Sequence, residues 1–352
     1  MRNLVFILLS LFCLSPLLHA EGKPTIGVLL PLSGDGASIG KSFQNGILLG
    51  YENLPKELQD KISIVFEDDG LQSVRTVAAL RKLQSTENLI AVLTFSSGTS
   101  HAIAPIVEKA KLPLVAIASD PRIVKDKDWV VNFWVTPEEE NRVLLPEALR
   151  RGYKKIAIIC DIHEGVYSVR RAFDKINNGQ IEVVFDEEVP LDMKDFRTIL
   201  AKLKTKEYDA IMPLLFPGQL SVFAQQARKQ GITAPFFGYE LFEDRKEVEA
   251  SEGTLVGAWY ANADDPSQKF LNEYEKRFPD DTFYSAPNGY DAIHIIAEGF
   301  ARGGSRESVR EFLHSVKDFP GVMGKISASG DNRFNLPAAI KLVTKDGFKL
   351  IS

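Results

Sequence analysis

Cysteine is almost missing from this chain: two residues in 352, at positions 13 and 160. Cys13 lies in an N-terminal apolar stretch, so at most Cys160 survives removal of that stretch and a disulfide-stapled scaffold is excluded. Cys160 ends the apolar run 156–160 and reads as core packing. The five histidines are scattered, without the paired spacing of a metal site. Runs of Lys or Arg are lacking and the net charge is −5. That balance argues against nucleic acid or an anionic membrane surface as the partner. Beyond the N-terminus no apolar stretch reaches the roughly 20 residues of a membrane span, so no direct membrane insertion is expected. Gly34, Gly36 and Gly40 are too irregular for a dinucleotide fingerprint, and no cofactor is implied. No nucleophile–base pair stands out at the strand ends described below, which weighs against an enzyme.

What is present begins with an export signal. Arg2 is followed by apolar residues 4–9 and 11–14, then Pro16 and the small Ala20. This pattern predicts a secretory signal peptide over residues 1–20. Cys13 leaves a lipoprotein alternative open, disfavoured by the bulky Phe12 before it. A core helix is disfavoured by the polar Glu21-Gly22-Lys23. Loss of Arg2 with the signal makes the chain one unit more acidic.

From residue 25 onward an apolar strand, a small polar turn and a helix alternate. The strands fall at 25–30, 62–66, 90–95 and 114–118. Such alternation predicts a parallel sheet with helices on both faces, binding its ligand beyond the carboxyl ends of the strands. Those ends carry Ser33-Gly34, Ser96-Ser97-Gly98-Thr99 and Ser119-Asp120, groups suited to holding a small polar molecule. The same grammar returns with strands at 156–160, 181–185, 210–215 and 236–238. The tail adds a strand at 255–260, helices at 268–278, 288–301 and 307–316, then strand-like runs at 324–327 and 339–344 joined by Gly330-Asp331-Asn332. A chain of this length exceeds what one core usually supports. The predicted fold class is therefore α/β, with two doubly wound parallel-sheet lobes joined by a multi-strand hinge. Lobe one is expected over 24–136 plus 262–320, and lobe two over 137–261 plus 321–352.

The chain resembles the leucine/isoleucine/valine-binding protein family, the type I periplasmic solute-binding fold of bacterial ABC importers. The residues that carry the resemblance start with Ile26-Gly27-Val28-Leu29-Leu30-Pro31-Leu32-Ser33-Gly34, Gly40, Gly46 and Glu67-Asp68-Asp69. They continue with Ser96-Ser97-Gly98-Thr99, Asp195-Phe196, Gln226-Ala227-Arg228-Lys229-Gln230-Gly231, Phe237-Gly238-Tyr239-Glu240 and Gly289-Tyr290-Asp291-Ala292. It implies a periplasmic protein that captures a small-molecule ligand and hands it to an inner-membrane ABC permease. A ligand sensor or envelope-protein regulator on the same fold is the alternative.

The resemblance also implies a site. Ser97 and the amides after it would bind a ligand carboxylate, with plain helix capping by Ser96 and Ser97 as the alternative. A backbone carbonyl at Ala118 and a hydroxyl at position 120 would follow, but this chain has Asp120 where relatives commonly have Thr. That acid would favour a cation unless it turns away or caps the segment at Pro121, and Ser119 could supply the hydroxyl. Glu240 would bind a ligand ammonium, or else be a solvated loop residue. Phe216 supplies one aromatic wall and Ile39 lines lobe one. The second aromatic position falls on Gly165, with Tyr167 two residues late. That substitution predicts extra room and a ligand other than leucine, isoleucine or valine. Asp161, His163 and Glu164 read as a lobe-closing or solvated loop rather than a catalytic or metal cluster. Asp68-Asp69 orders a turn or, alternatively, holds a cation.

Overall fold

The computed structural model describes residues 22–34 and 36–351. The expected signal peptide, its cut after Ala20 and the Cys13 alternative lie outside these residues. Five strands form the first sheet: β1 (Pro24–Leu30), β2 (Ser63–Asp68), β3 (Asn88–Phe95), β4 (Leu114–Ile117) and β5 (Val130–Asn132). Their order is β2-β1-β3-β4-β5 and every pairing is parallel. The inner strands β1, β3 and β4 are apolar along nearly their whole length because helices cover both faces.

Helices α1 (Ala37–Glu52), α2 (Lys56–Lys61), α3 (Ser73–Thr86) and α4 (Ser97–Lys109) connect the strands of this sheet. The chain then enters lobe two through α5 (Pro137–Arg150), with α6 (Glu164–Asn177), α7 (Arg197–Leu203), α8 (Leu220–Lys229) and α9 (Arg245–Ala250) following. It returns to lobe one for α10 (Gln268–Arg277), α11 (Ala286–Gly303) and α12 (Arg306–Ser315). One face of the first sheet packs on α1, α11 and α12 through Phe43, Ile47, Ile293, Ile296 and Phe312. The other packs on α3 and α4 through Leu80, Leu83, Ile103 and Val107.

Lobe two holds β6 (Lys155–Asp161), β7 (Glu182–Val189) and β8 (Ala210–Leu214), parallel in the order β7-β6-β8. An Ile211–Phe236 bridge leads to β9 (Phe237–Gly238), which pairs in parallel with β10 (Trp259–Ala263). The small ribbon β11 (Phe319–Gly321) and β12 (Gly324–Ile326) stands apart. Strands β13 (Ala338–Thr344) and β14 (Gly347–Leu350) then complete the second sheet antiparallel, β13 against β10. The sheet of lobe two is therefore mixed rather than purely parallel.

Two further expectations need correction. The strand placed at 255–260 starts at Trp259, because Gly253 and Gly257 have φ of 84° and 91° and hold the chain in a turn. The runs 324–327 and 339–344, expected together in lobe two, lie in different lobes. Ile326, Phe334 and Leu336 pack in the core of lobe one, with Phe334 edge-on to Phe133 at 4.9 Å. Ile340 packs in lobe two. The last crossing between lobes thus lies at about Pro337, not at residue 321. It runs beside the second crossing, where Asp264 N–H donates to Pro337 O at 3.1 Å. The first crossing is the stretch Val135–Pro137, where the core of lobe one ends and α5 begins.

The seam of α1 against α11 needs glycine. A Cβ at Gly46 would lie 2.0 Å from the carbonyl oxygen of Ala286. In a free helix Gly→Ala gains about 1 kcal/mol. Here the backbone clash outweighs that gain, so Gly46→Ala is expected to destabilise the fold by roughly 1–3 kcal/mol. Urea unfolding measures this, and a stabilised variant would contradict the packing.

Candidate functional site

The carboxyl ends of strands from both sheets meet at one cavity of about 50 Å³. Six of the seven site residues expected from sequence line it: Ile39, Ser97, Ala118, Ser119, Phe216 and Glu240. Phe95, Trp134, His163, Val166, Val169, Leu214, Tyr239 and Tyr284 complete most of the wall. A low-dielectric chamber with a few polar groups is the ordinary form of a small-ligand site.

At one end stands the N-terminus of α4. Ser96, at φ 87°, turns β3 into the helix, and no side chain caps it. Its first amides therefore offer donors to an anion. Ser97 Oγ accepts from Asp120 N–H at 3.1 Å, so it is not the helix cap. Its own hydrogen stays available to a ligand. The Ala118 carbonyl accepts from Asn132 Nδ2 at 2.8 Å, which fixes the turn after β4.

Asp120 does not reach the cavity. Its carboxylate is fully buried and accepts from Arg122 Nη2 at 2.6 Å and from His101 Nε2 at 3.0 Å, with Arg171 Nη2 at 3.5 Å. It also accepts from Arg122 N–H, capping the short turn at Pro121. Burial by itself would raise this carboxyl. The bonds from His101 and Arg122 prevail and hold it well below the usual carboxylate range. Asp120 therefore sets no charge preference for the ligand. Arg171 and Glu164 belong to α6, and Arg122 meets Glu164 at 3.1 Å. The cluster thus ties lobe one to lobe two at the rim.

Gly165 opens no extra room. A Cβ there would lie 3.2 Å from both Ser97 Oγ and His163 Nδ1. The space is taken by His163, whose ring packs edge-on to Phe216 at 4.8 Å. His163 Nδ1 accepts from Gly165 N–H at 3.1 Å, so its Nε2–H is the donor toward Ser96 Oγ at 3.2 Å. Burial lowers its pKa to about 4, keeping the ring neutral in the working range. In this loop Glu164 meets Arg122 of lobe one and Asp161 bonds Phe216 N–H, and the expected extra room beside Gly165 is absent, so the steric argument against leucine, isoleucine and valine does not stand. Asp68 and Asp69 accept bonds from Leu32, Gly70 and Leu71 N–H and from the Ser33 and Thr76 hydroxyls. They order the turn into α3.

At the other end of the cavity lies Glu240, 5% exposed, accepting from Ser119 Oγ at 3.2 Å. It is no solvated loop residue. Its Oε2 has no hydrogen-bond partner, and the Trp134 indole N–H nearby also has none. Behind it, within hydrogen-bonding reach, is Glu140 of α5, fully buried, with neither oxygen bonded to a donor. Burial raises both carboxyls, and the charge of Glu240 pushes Glu140 further up. Sequence reasoning passed over Glu140 because Glu138-Glu139-Glu140 reads as a helix start suited to the dipole. Its place in one row with Leu144 and Ala148 was the available signal.

Residues 23–347 match the family described as periplasmic binding protein. The Leu/Ile/Val-binding protein BraC3 of Rhizobium johnstonii is 23% identical over 346 residues, covering 93% of this chain and 92% of its own. Among solved structures, the leucine binding protein LivK of Thermotoga maritima aligns with a TM-score of 0.85 at 20% identity. That alignment covers 94% of this chain and 98% of LivK. A solute binding protein of an ABC transporter from Rhodopseudomonas palustris BisB5, in complex with 3,4-dihydroxy benzoic acid, aligns with a TM-score of 0.83 at 23% identity, covering 93% and 94%. The fold is that of two-lobed type I periplasmic binding proteins.

Asp161 supplies a pH signature for the site's frame. It accepts from Phe216 N–H at 2.7 Å and so fixes the Phe216 turn. Burial pushes its pKa up to about 7. The unfolded chain releases this proton near pH 3.9. The folded form then binds the extra proton, so this contribution is complete below about pH 4 and is lost as pH rises through about 7. Asp161→Asn should therefore gain thermal stability relative to wild type as pH rises from about 5 to 8. A difference that stays flat across that range would mean the carboxyl is ionised throughout.

Proposed function

The chain belongs to the periplasmic binding protein family, and we propose that it captures a compact amine-bearing acid, an amino acid above all, between its lobes. It carries that ligand in the periplasm, after export by its N-terminal segment, and presents it to an inner-membrane ABC permease. The chain acts by binding and not by catalysis. The observation that carries this reading is the polarity of one cavity: uncapped helix amides and Ser97 at one end, and the buried, half-partnered Glu240 at the other. A buried carboxylate without a full set of donors is costly, and a ligand ammonium would supply the missing ones. The apolar wall between the two ends suits a short aliphatic or aromatic side chain. Both lobes line the cavity, so the ligand favours the closed arrangement by its extra contacts there.

A second reading has its own support. The ring-rich wall of Phe95, Trp134, Phe216, Tyr239 and Tyr284 would also suit an amine-free aromatic acid.

A thermal-shift panel separates the two, using the twenty amino acids, polyamines, benzoate, hydroxybenzoates and sugars. A ligand at ~100 times its dissociation constant adds about 2.7 kcal/mol. Amino acids are expected to shift the melt. A response confined to benzoates would defeat the role given to Glu240 and favour the second reading.

Calorimetry on Ser97→Ala tests the other end. The loss expected is on the order of 1–3 kcal/mol of binding free energy for the amino acid that gives the largest shift. Unchanged affinity would leave Ser97 only its bond to Asp120.

A further inference from the structure

Two carboxyls in contact, both buried, one lining an apolar-walled cavity and the other directly behind it, cannot both be ionised at modest cost. Glu140 and Glu240 are in that position. Glu140 is completely buried and Glu240 nearly so. Among the described residues three of their four carboxyl oxygens lack a hydrogen bond of good geometry, the nearest donor being the neutral Trp134 indole N–H beside Glu240. The surrounding charges do not relieve them. Along α5 lies Glu138, another acid. On the segment after β9 lie Tyr239, Glu243 and Asp244, and Tyr284 faces the pair from lobe one. Asp174 of α6 acts on Tyr239. Lys341 is held by Glu243 and Asp265, at 2.8 Å each. Among the described residues neither carboxyl has a cationic partner.

Resting on the ammonium reading of Glu240, we propose that Glu140 is part of the binding site as a positioning and proton-holding residue. With the cavity empty, the pair shares one proton. When an amine-bearing acid enters as its ammonium form, the new N–H donors bond to Glu240, and the shared proton leaves for solvent or buffer. Both carboxyls are then ionised against one cation. Capture of the amine is thereby coupled to release of about one proton, and affinity rises with pH up to the point where the empty pair has already lost its proton. By linkage, one released proton corresponds to up to about a tenfold gain in affinity per pH unit.

The test is titration calorimetry with L-alanine, L-leucine and L-phenylalanine on the wild-type protein at pH 7, in phosphate and in Tris. These buffers differ widely in their heat of protonation. The expected result is a binding enthalpy that differs between them by the heat of about one proton taken up by the buffer. In Glu140→Gln the enthalpy of the binding that remains should be the same in both buffers. Equal enthalpies in the two buffers, with wild-type binding intact, would overturn the coupling. A second arm needs no ligand: melting of wild type, Glu140→Gln and Glu240→Gln between about pH 6 and 9. A shared proton is lost from the wild type as pH rises, so each Gln variant should gain melting temperature on the wild type with increasing pH. A flat difference would overturn the shared proton. Failure of every amine to bind would overturn the coupling together with the proposed function, and the ligand-free arm would still decide whether the pair shares a proton.

Discussion

Parallel strands point their carboxyl ends the same way, and in this protein two such sets point at each other. From lobe one, β1, β3, β4 and β5 end at the stretches that carry Ile39, Ser96-Ser97, Ala118-Ser119 and Trp134. From lobe two, β6, β8 and β9 end at His163, Phe216 and Tyr239-Glu240. The cavity is the region where these ends converge. Its positive side is a by-product of the fold, since a helix that follows a parallel strand presents free N–H groups at the strand's end. Its negative side is not. Glu240 has to be held in an apolar wall against the cost of burial.

The contacts that join the lobes around this cavity are numerous but individually weak. Ser96 meets His163, Ser119 meets Glu240, Ser168 Oγ donates to the Ser119 carbonyl at 3.3 Å, and Ser38 Oγ donates to Asp244 at 2.9 Å. At the rim, Arg122 with Glu164 and Lys246 with Asp281 are partly exposed pairs. Such pairs contribute about 0–1 kcal/mol each. Contacts of this size bias the arrangement of the lobes only lightly, which is the condition the proposed capture by differential ligand contacts requires. The buried carboxylate of Asp120 is the exception. Three cationic or donor groups converge on it, two from lobe one and Arg171 from lobe two. It joins the two lobes at the rim, outside the cavity.

The parts legible in the sequence were those with one-dimensional signatures. Strand ends with small hydroxyl residues pointed to Ser97 and Ser119, and the resemblance to leucine/isoleucine/valine-binding proteins implied Glu240; all three line the cavity. What escaped depended on relations between distant segments. Tyr284 reaches the cavity from a stretch that reads as a connection between helices, and Trp134 from just beyond the end of β5, with their ring centroids 5.7 Å apart. Gly165 looked like a gap because spacing along the chain does not say that His163 folds back into it. The third crossing was misplaced because 324–327 and 339–344 read as two strands of the same lobe. Only the packing of Ile326, Phe334 and Leu336 in the first core shows that the chain stays there until Pro337. Glu140 was hidden among three consecutive glutamates, and helical register alone distinguishes it.

The treatment of three neighbouring acids gives the cavity its meaning. Glu243 lies three residues beyond Glu240 and is as deeply buried. It has Lys341 at 2.8 Å and the Asn262 amide as well. A buried pair of this kind roughly balances desolvation against attraction, whereas breaking one is costly. Glu240 and Glu140 are given no such cation, although they face the same low-dielectric interior and the cost of leaving them uncompensated is the same in kind. A protein that supplies a lysine to one acid and none to the next two separates a structural charge from charges left open to something that comes and goes. Of the three acids only Glu240 lines the cavity, with Glu140 directly behind it. On the proposed reading, the missing cation is supplied either by a proton or by the bound ligand.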